Sequence, residues 1–176
     1  ILKEEQEKFY NSTVAFLGMS VGSHTAIVSA ITGGVKHARL ADPDVFSGDN
    51  LNRVRTGFQN VGLSKVAVTA RQIYEINPYA DLHLFPDGLS DNNVSDFVVG
   101  EPKSQLIFEE IDDFKMKIKI RLAARRARVP VIMLTNLGDR ILVDVERYDL
   151  DSQTPVFNRQ VDEKIISEIL SDTIGP

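Results

Sequence analysis

Six polar residues in this 176-residue chain have the types and spacing to handle a phosphate-bearing ligand: Asp42, Asp44, Asn50, Arg53, Lys65 and Asp112. The planar guanidinium of Arg53 matches a pair of phosphate oxygens. Lys65 falls in the first turn of a predicted helix, where a cation opposes the helix dipole unless an anion lies near. Asp42 and Asp44 flank Pro43 just after a predicted strand, where carboxylates accept from ribose hydroxyls or join a metal. Asp112 ends another predicted strand and is placed for Mg²⁺, which prefers hard oxygen ligands. Plainer roles exist for each. Arg53 suits an ordinary surface, the two aspartates suit a proline turn, and Asp113 suits the cap of the helix that follows. Asn50 fits a ligand role and a turn-forming role equally well.

The elements that would position these groups are centred on residues 14–53. The run 14–17 is short, apolar and stopped by Gly18, as expected for a buried parallel strand. Gly18-Met19-Ser20-Val21-Gly22-Ser23 is a small-residue turn, and Ala26, Ile27, Ala30 and Ile31 give 25–31 helical spacing. Gly33 and Gly34 end that helix, and 37–41 reads as a second strand leading to Asp42. Strand, glycine-bearing turn, helix, strand, acidic residue is the order of a nucleotide-binding Rossmann unit. There the helix N-terminus offers unpaired N–H groups to phosphate and the carboxylate holds ribose. Gly18, Ser20 and Gly22 are therefore candidate nucleotide contacts, although G-x-G-x-x-G would need glycine where the chain has Ser20 and Ser23. The same turn is a literal G-x-S-x-G, the nucleophile elbow of α/β-hydrolases. That fold needs several strands before the elbow, and only 17 residues precede it here. His24, His37 and His83 follow in no metal-ligand spacing. The hydrolase reading is the weaker one.

Asp42-Pro43-Asp44-Val45-Phe46, then Asn50-Leu51-Asn52-Arg53, with Lys65 twelve residues on, resembles the ThiF/MoeB family of adenylate-forming enzymes related to ubiquitin-activating enzymes. The family pattern is roughly D-x-D-x-V, then N-L-x-R, then a lysine; Phe46 stands where it has valine. Leu106-Ile107-Phe108-Glu109-Glu110-Ile111-Asp112-Asp113-Phe114 is similar to its strand ending in D-N-F, with Asp113 in place of asparagine. The resemblance runs from about Gln6 to Val145. It implies ATP and Mg²⁺ as cofactors, catalytic roles for Arg53, Lys65 and Asp112 (the last as metal ligand), and nucleotide contacts from Gly18, Ser20, Gly22, Asp42, Asp44 and Asn50. It also implies a homodimer and, in many relatives, a ubiquitin-like carrier protein or peptide as substrate. Relatives often place an arginine before the first strand that reaches across the dimer; here only Lys3 and Lys8 are present.

The length suits one domain, residues 1–176, and the chain begins Ile-Leu-Lys without methionine, as a piece of a longer protein would. A net charge of −5 argues against a nucleic-acid binder, despite the basic stretch 121–128. No apolar run approaches membrane-spanning length and no signal peptide is visible, so a cytoplasmic protein is expected. There is no cysteine. Disulfides, thiolate-ligated zinc and a catalytic thiol are thereby excluded within these residues, so the thioester or persulfide cysteine and paired C-x-x-C zinc site of many relatives are missing. A helix is expected over 2–10. After a loop at 52–63, Ser64 is a plausible cap for a helix over 65–76 that stops at Asn77-Pro78. Strands follow at 81–85, 105–110 and 131–134, with a short helix to Val99 capped by Ser90 or Asp91, and a basic helix over 114–127. Residues 141–145 alternate as an edge strand or hairpin, and 156–176 reads as an extended segment and then a helix over 162–170. The fold expected is α/β: a Rossmann-like, doubly wound, mostly parallel sheet with helices on both faces.

The function expected from the resemblance is ATP-dependent adenylylation of a carboxylate with release of pyrophosphate; a peptide, a carrier protein or a small acid would all fit. Two alternatives stand beside it. One is an NAD- or FAD-binding Rossmann domain with Asp42 on the adenosine ribose. The other is a degenerate relative serving as a dimerisation or scaffold module, which the altered glycine turn permits.

Overall fold

The computed structural model describes residues 1–171. β1 (Thr13–Leu17) is buried along its whole length, as an apolar run flanked by strands on both sides must be. It pairs in parallel with β2 (His37–Ala41) on one side and β4 (Leu106–Glu109) on the other. β3 (Asp81–Phe85) extends the sheet beyond β2, and β5 (Val131–Leu137) pairs in parallel with β4. β6 (Arg140–Glu146) returns antiparallel on β5, so the six-stranded order is β3-β2-β1-β4-β5-β6. The hairpin turns at Gly138, whose φ of +70° suits glycine. β5 is therefore longer than the expected 131–134, because ladder pairing with β6 carries it through Thr135 and Asn136.

Alternation along β1 divides the core into two layers. Val14 and Phe16 face α2 (Gly22–Ile31) and α3 (Lys65–Ile76), packing with Ala26, Ala30, Val66, Ala70 and Ile73. Ala15 and Leu17 face the opposite side, against Phe97 and Val98 of α4 (Val94–Val99) and Ile120 and Ala124 of α5 (Phe114–Ala127). Helices thus cover both faces of a Rossmann-like sheet, as expected. α1 (Lys3–Asn11) leads into β1 and sets Phe9 against Gly34, where an added Cβ would meet the ring at 2.6 Å.

Several boundaries differ from the sequence expectation for identifiable reasons. α2 begins at Gly22 rather than Thr25, since its first turn carries no apolar periodicity and is legible only from the backbone. α4 begins after Asn93, whose side chain accepts from the backbone N–H of Ser90 at 2.7 Å, so neither Ser90 nor Asp91 is the cap. Residues Val156–Arg159 form a 3₁₀ turn rather than an extended segment, with Phe157, Asn158 and Arg159 all at positive φ. α6 (Glu163–Leu170) follows, capped by Asp162; the expected segment beyond residue 171 lies outside the described residues. Among the described residues no helix is long and apolar enough to cross a membrane.

Candidate nucleotide-binding site

In the order 3-2-1-4-5-6 the chain leaves β1 and β4 in opposite directions, which opens a crevice beyond their carboxyl ends. A cavity of about 250 Å³ lies there, lined by Gly18, Ser20, Asp42, Asp44, Lys65, Glu110 and Asp112, among others. Three separate strand ends and the start of α3 therefore deliver these residues to one place. Gly18 is obligatory for the approach. Its φ is +93°, and a Cβ there would sit 2.5 Å from the Glu110 carbonyl oxygen at the end of β4. Its N–H continues the ladder by donating to the Ala41 carbonyl at 2.8 Å.

Asp42 pins the turn. The Met19 N–H donates to its Oδ2 at 2.6 Å and the Asp44 N–H to its Oδ1 at 2.8 Å. Burial pushes this carboxyl above the usual range, against the opposing pull of those two donors and Lys65. A carboxylate has more acceptor sites than these two bonds use, so Asp42 keeps capacity towards the cleft that it lines. Lys65 is held by its own protein. Its Nζ lies 2.7 Å from Asp44 Oδ2 and 3.9 Å from Asp42 Oδ1, with the lysine side chain only 8% exposed. The anion demanded by a cation at a helix start is supplied by these carboxylates, which is why Lys65 is tolerated there. Its hydrogen-bonded partner Asp44 is 65% exposed and faces solvent.

The excursion from Asp42 to Lys65 is closed by a bridge between Val45 and Ser64 and by the Lys65 N–H donating to the Asp44 carbonyl at 3.0 Å. Phe46 anchors it, buried with Val54 and Val68; the larger ring in place of valine has a pocket of its own. Within this excursion Gly48–Asn52 is a 3₁₀ turn. Asn50 is buried there, accepting from the Ser47 N–H at 3.2 Å, and so serves the turn. Arg53 stands outside the cavity lining, its side chain 48% exposed. Its Nη1 donates to the Asp49 carbonyl at 2.8 Å and to Asn52 Oδ1 at 3.0 Å. A ring nitrogen of His24, in the first turn of α2, meets the Arg53 carbonyl oxygen at 2.9 Å, which ties Arg53 to the helix start. His24 is thereby engaged with Arg53 rather than with Ser20. Gly22 is the first residue of α2 and is not part of the cavity lining; a Cβ added there would meet the Glu110 side chain at 3.6 Å.

At the end of β4, Asp112 lines the cleft and is exposed, whereas Asp113 caps α5 by accepting from the Met116 N–H at 3.0 Å. Two neighbouring glutamates escaped the sequence reading. Glu110 lines the cleft, accepts from the Thr25 hydroxyl at 2.8 Å, and has a buried Oε2 without a partner; burial raises its carboxyl. Glu109 turns the other way, fully buried, to Lys117 Nζ at 2.8 Å and the equally buried Arg121 Nη1 at 2.7 Å. Arg121 also brings its Nε to 2.7 Å from Glu146 Oε2, a close ion contact whose N–H is not aligned as a hydrogen bond. The signal was a Glu-Glu pair ending an otherwise apolar strand, since buried charge at such a place must be paired or functional.

The parallel sheet, the crevice at its switch point and the gathering of Asp42, Lys65 and Asp112 define a nucleotide-binding α/β domain. The profile of the ThiF family matches residues 1–162, and the chain belongs to that family. It is 39% identical over 158 residues to an uncharacterized protein of Mycobacterium tuberculosis, covering 90% of this chain and 21% of that one. It is 29% identical over 136 residues to the tRNA threonylcarbamoyladenosine dehydratase of Escherichia coli, covering 76% of this chain and 49% of that one. The crystal structure of that dehydratase in complex with AMP superposes with a TM-score of 0.70 at 25% identity, over 80% of this chain and 56% of that one. Escherichia coli MccB, with AMPCPP and MccA, superposes with a TM-score of 0.64 at 26% identity, over 76% of this chain and 39% of that one. The chain thus spans from a fifth to about half the length of the curated relatives it matches.

Proposed function

We propose that this domain binds ATP at the crevice and activates a carboxylate as an acyl-adenylate. The observation that carries this reading is the convergence of Asp42, Asp44, Lys65 and Asp112 at the switch-point cavity, in a family whose similar structures include an AMP complex and an AMPCPP complex. A carboxylate oxygen of the substrate attacks the α-phosphorus. The bond from that phosphorus to the bridging oxygen breaks, and its electron pair leaves with pyrophosphate. No general base is required, because the nucleophile is ionised at neutral pH. The protein's task is alignment and charge neutralisation.

Lys65 would supply an ammonium group by exchanging part of its contact with Asp44 for phosphate. Arg53 would join by swinging from the Asp49 carbonyl, Asn52 Oδ1 and the Asp49 carboxylate 3.9 Å away, contacts that an exposed side chain beside the start of α2 can exchange. Asp42 and the freed Asp44 are the acceptors for ribose hydroxyls. Among the described residues no three acidic or histidine side chains are gathered to cage a metal ion. The donor set fits Mg²⁺ held by Asp112 together with phosphate oxygens and water, the coordination that ion favours, and the bound ion would offset charge on the leaving pyrophosphate. Asn50, Gly18, Ser20 and Gly22 act through the shape of the turns. We further propose a homodimer, with a peptide, a carrier protein or a small acid as the acyl substrate.

The test is substrate-dependent exchange between ATP and labelled pyrophosphate, run across carboxylates and carrier C-termini. Arg53→Ala should slow exchange about a hundredfold or more, the usual consequence of removing one group that stabilises charge in the transition state. Full exchange in Arg53→Ala refutes the role of Arg53. Calorimetric binding of NAD or FAD without any response to ATP refutes the whole reading. Sedimentation that finds only monomer at high concentration counts against the dimer.

A further inference from the structure

A second, larger cavity of about 620 Å³ opens on the far side of α5, between that helix, the Val156–Arg159 turn and the start of α6. Its volume is in the range of small-ligand sites. Apolar groups from Leu122, Val156, Val161 and Ile166 line it, and Arg125 and Arg159 stand at its edge. Neither guanidinium has a hydrogen-bond or ion-pair partner among the described residues. Asp162 and Glu163 also border it, but the Asp162 carboxylate is committed to capping α6, accepting from the Lys164 N–H at 2.7 Å.

The placing of Arg159 is built at an energetic cost. Phe157, Asn158 and Arg159 have φ of 54°, 49° and 67°, three successive left-handed residues with no glycine among them. L-residues avoid this conformation, and it persists only where the surroundings over-determine it, which is typical of ligand clamps. Here they do. The Phe157 N–H donates to Glu146 Oε1 at 2.7 Å, and the Asn158 amide donates to Asp144 and to the Val145 carbonyl. The Phe157 ring stacks on Phe114 at 5.3 Å, with the Arg121 guanidinium 4.2 Å from its centroid. The buried Glu109–Arg121–Glu146 network thus fixes the turn that carries Arg159 to the cavity edge.

We propose that this cavity is a second binding site, for a small amphiphile with an apolar body and a single carboxylate. Two arginine forks suit a carboxylate, and the apolar lining suits the body. With two arginines and two acidic groups the border is neutral, which favours a monoanion over a phosphate dianion. The site is separate from the nucleotide crevice: Met116 at the crevice and Arg125 here are nine residues apart on α5, about 13 Å along a helix. It does not depend on the adenylation reading.

Isothermal calorimetry of the 176-residue chain with sodium decanoate tests it. Saturable one-to-one binding is expected, weakened about tenfold or more by Arg125→Gln and by Arg159→Gln, and unchanged by Lys65→Met in the other site. Arg159 is exposed, so its variant folds even if the Arg125 variant does not. Decanol, with the same chain and no charge, should bind far more weakly. The proposal is overturned by no decanoate binding, by Arg159→Gln binding as tightly as the wild type, or by decanol matching decanoate.

Discussion

Replacing Lys65 by methionine keeps most of the side-chain volume and removes its charge, so it isolates what the ammonium does for the folded crevice. At the 2.7 Å separation from Asp44 Oδ2, Coulomb attraction amounts to about 6 kcal/mol at an effective dielectric of 20 and about 1.5 kcal/mol in water. The lysine is buried and Asp44 is 65% exposed, so the pair falls between those limits, reduced by the cost of ordering both side chains. A coupling of about 1–2 kcal/mol is expected for Lys65 with Asp44. Asp42, 3.9 Å away and only 7% exposed, loses its nearest cation as well. Stripping the partner from a buried charge costs about 3–5 kcal/mol when no solvent reaches it. The two backbone N–H donors that Asp42 keeps reduce this, so Lys65→Met should cost about 2–3 kcal/mol in all. Urea unfolding of Lys65→Met, Asp44→Asn and the double variant forms a complete cycle. The reasoning fails if the measured coupling is below about 0.3 kcal/mol, or if Lys65→Met is as stable as the wild type.

Three other outcomes are expected. Gly18→Ala places a methyl group on the Glu110 carbonyl and a side chain at positive φ; it should cost about 3 kcal/mol or more and lower Tm by about 5–10 °C by scanning calorimetry. Burial raises the Glu146 carboxyl, while Arg121 and the Tyr148 hydroxyl, donating at 2.6 Å, hold it down. The folded protein therefore keeps this proton to higher pH than the unfolded chain, so this group's contribution to stability falls as pH rises through the raised value. Tyr148→Phe removes a donor to the ionised form, so its cost of about 1–3 kcal/mol should be full above that value and shrink as pH falls through it, as followed by urea midpoints. A pH-independent cost would refute this. Asp112→Asn should raise the Mg²⁺ concentration needed for ATP–pyrophosphate exchange while leaving Tm within about 2 °C, since its carboxylate is exposed; an unchanged Mg²⁺ dependence would refute its role.

Much of this molecule is set by local sequence. The strand-turn-helix-strand order of residues 14–53, the caps at Ser64 and Asp113, and the acidic ends of β2 and β4 follow from periodicity, turn chemistry and composition, which act over a few residues. Family membership followed from the same short stretches, and the profile match over residues 1–162 agrees with it. What local sequence could not assign was partnership. Whether Lys65 waits for a phosphate or already holds Asp44, 21 positions away, and which of Glu109 and Glu110 is buried against Arg121, 12 positions on from Glu109, depend on other elements or on the pleat of β4, and even the three-residue contact by which Asn50 closes its own turn appears only once that turn is folded. The left-handed turn at Phe157 had no glycine to announce it, because the energy that holds it comes from Glu146 and Phe114 in other elements. Charges and strained backbone are tolerated only where distant partners compensate them, and that compensation exists only in the folded chain.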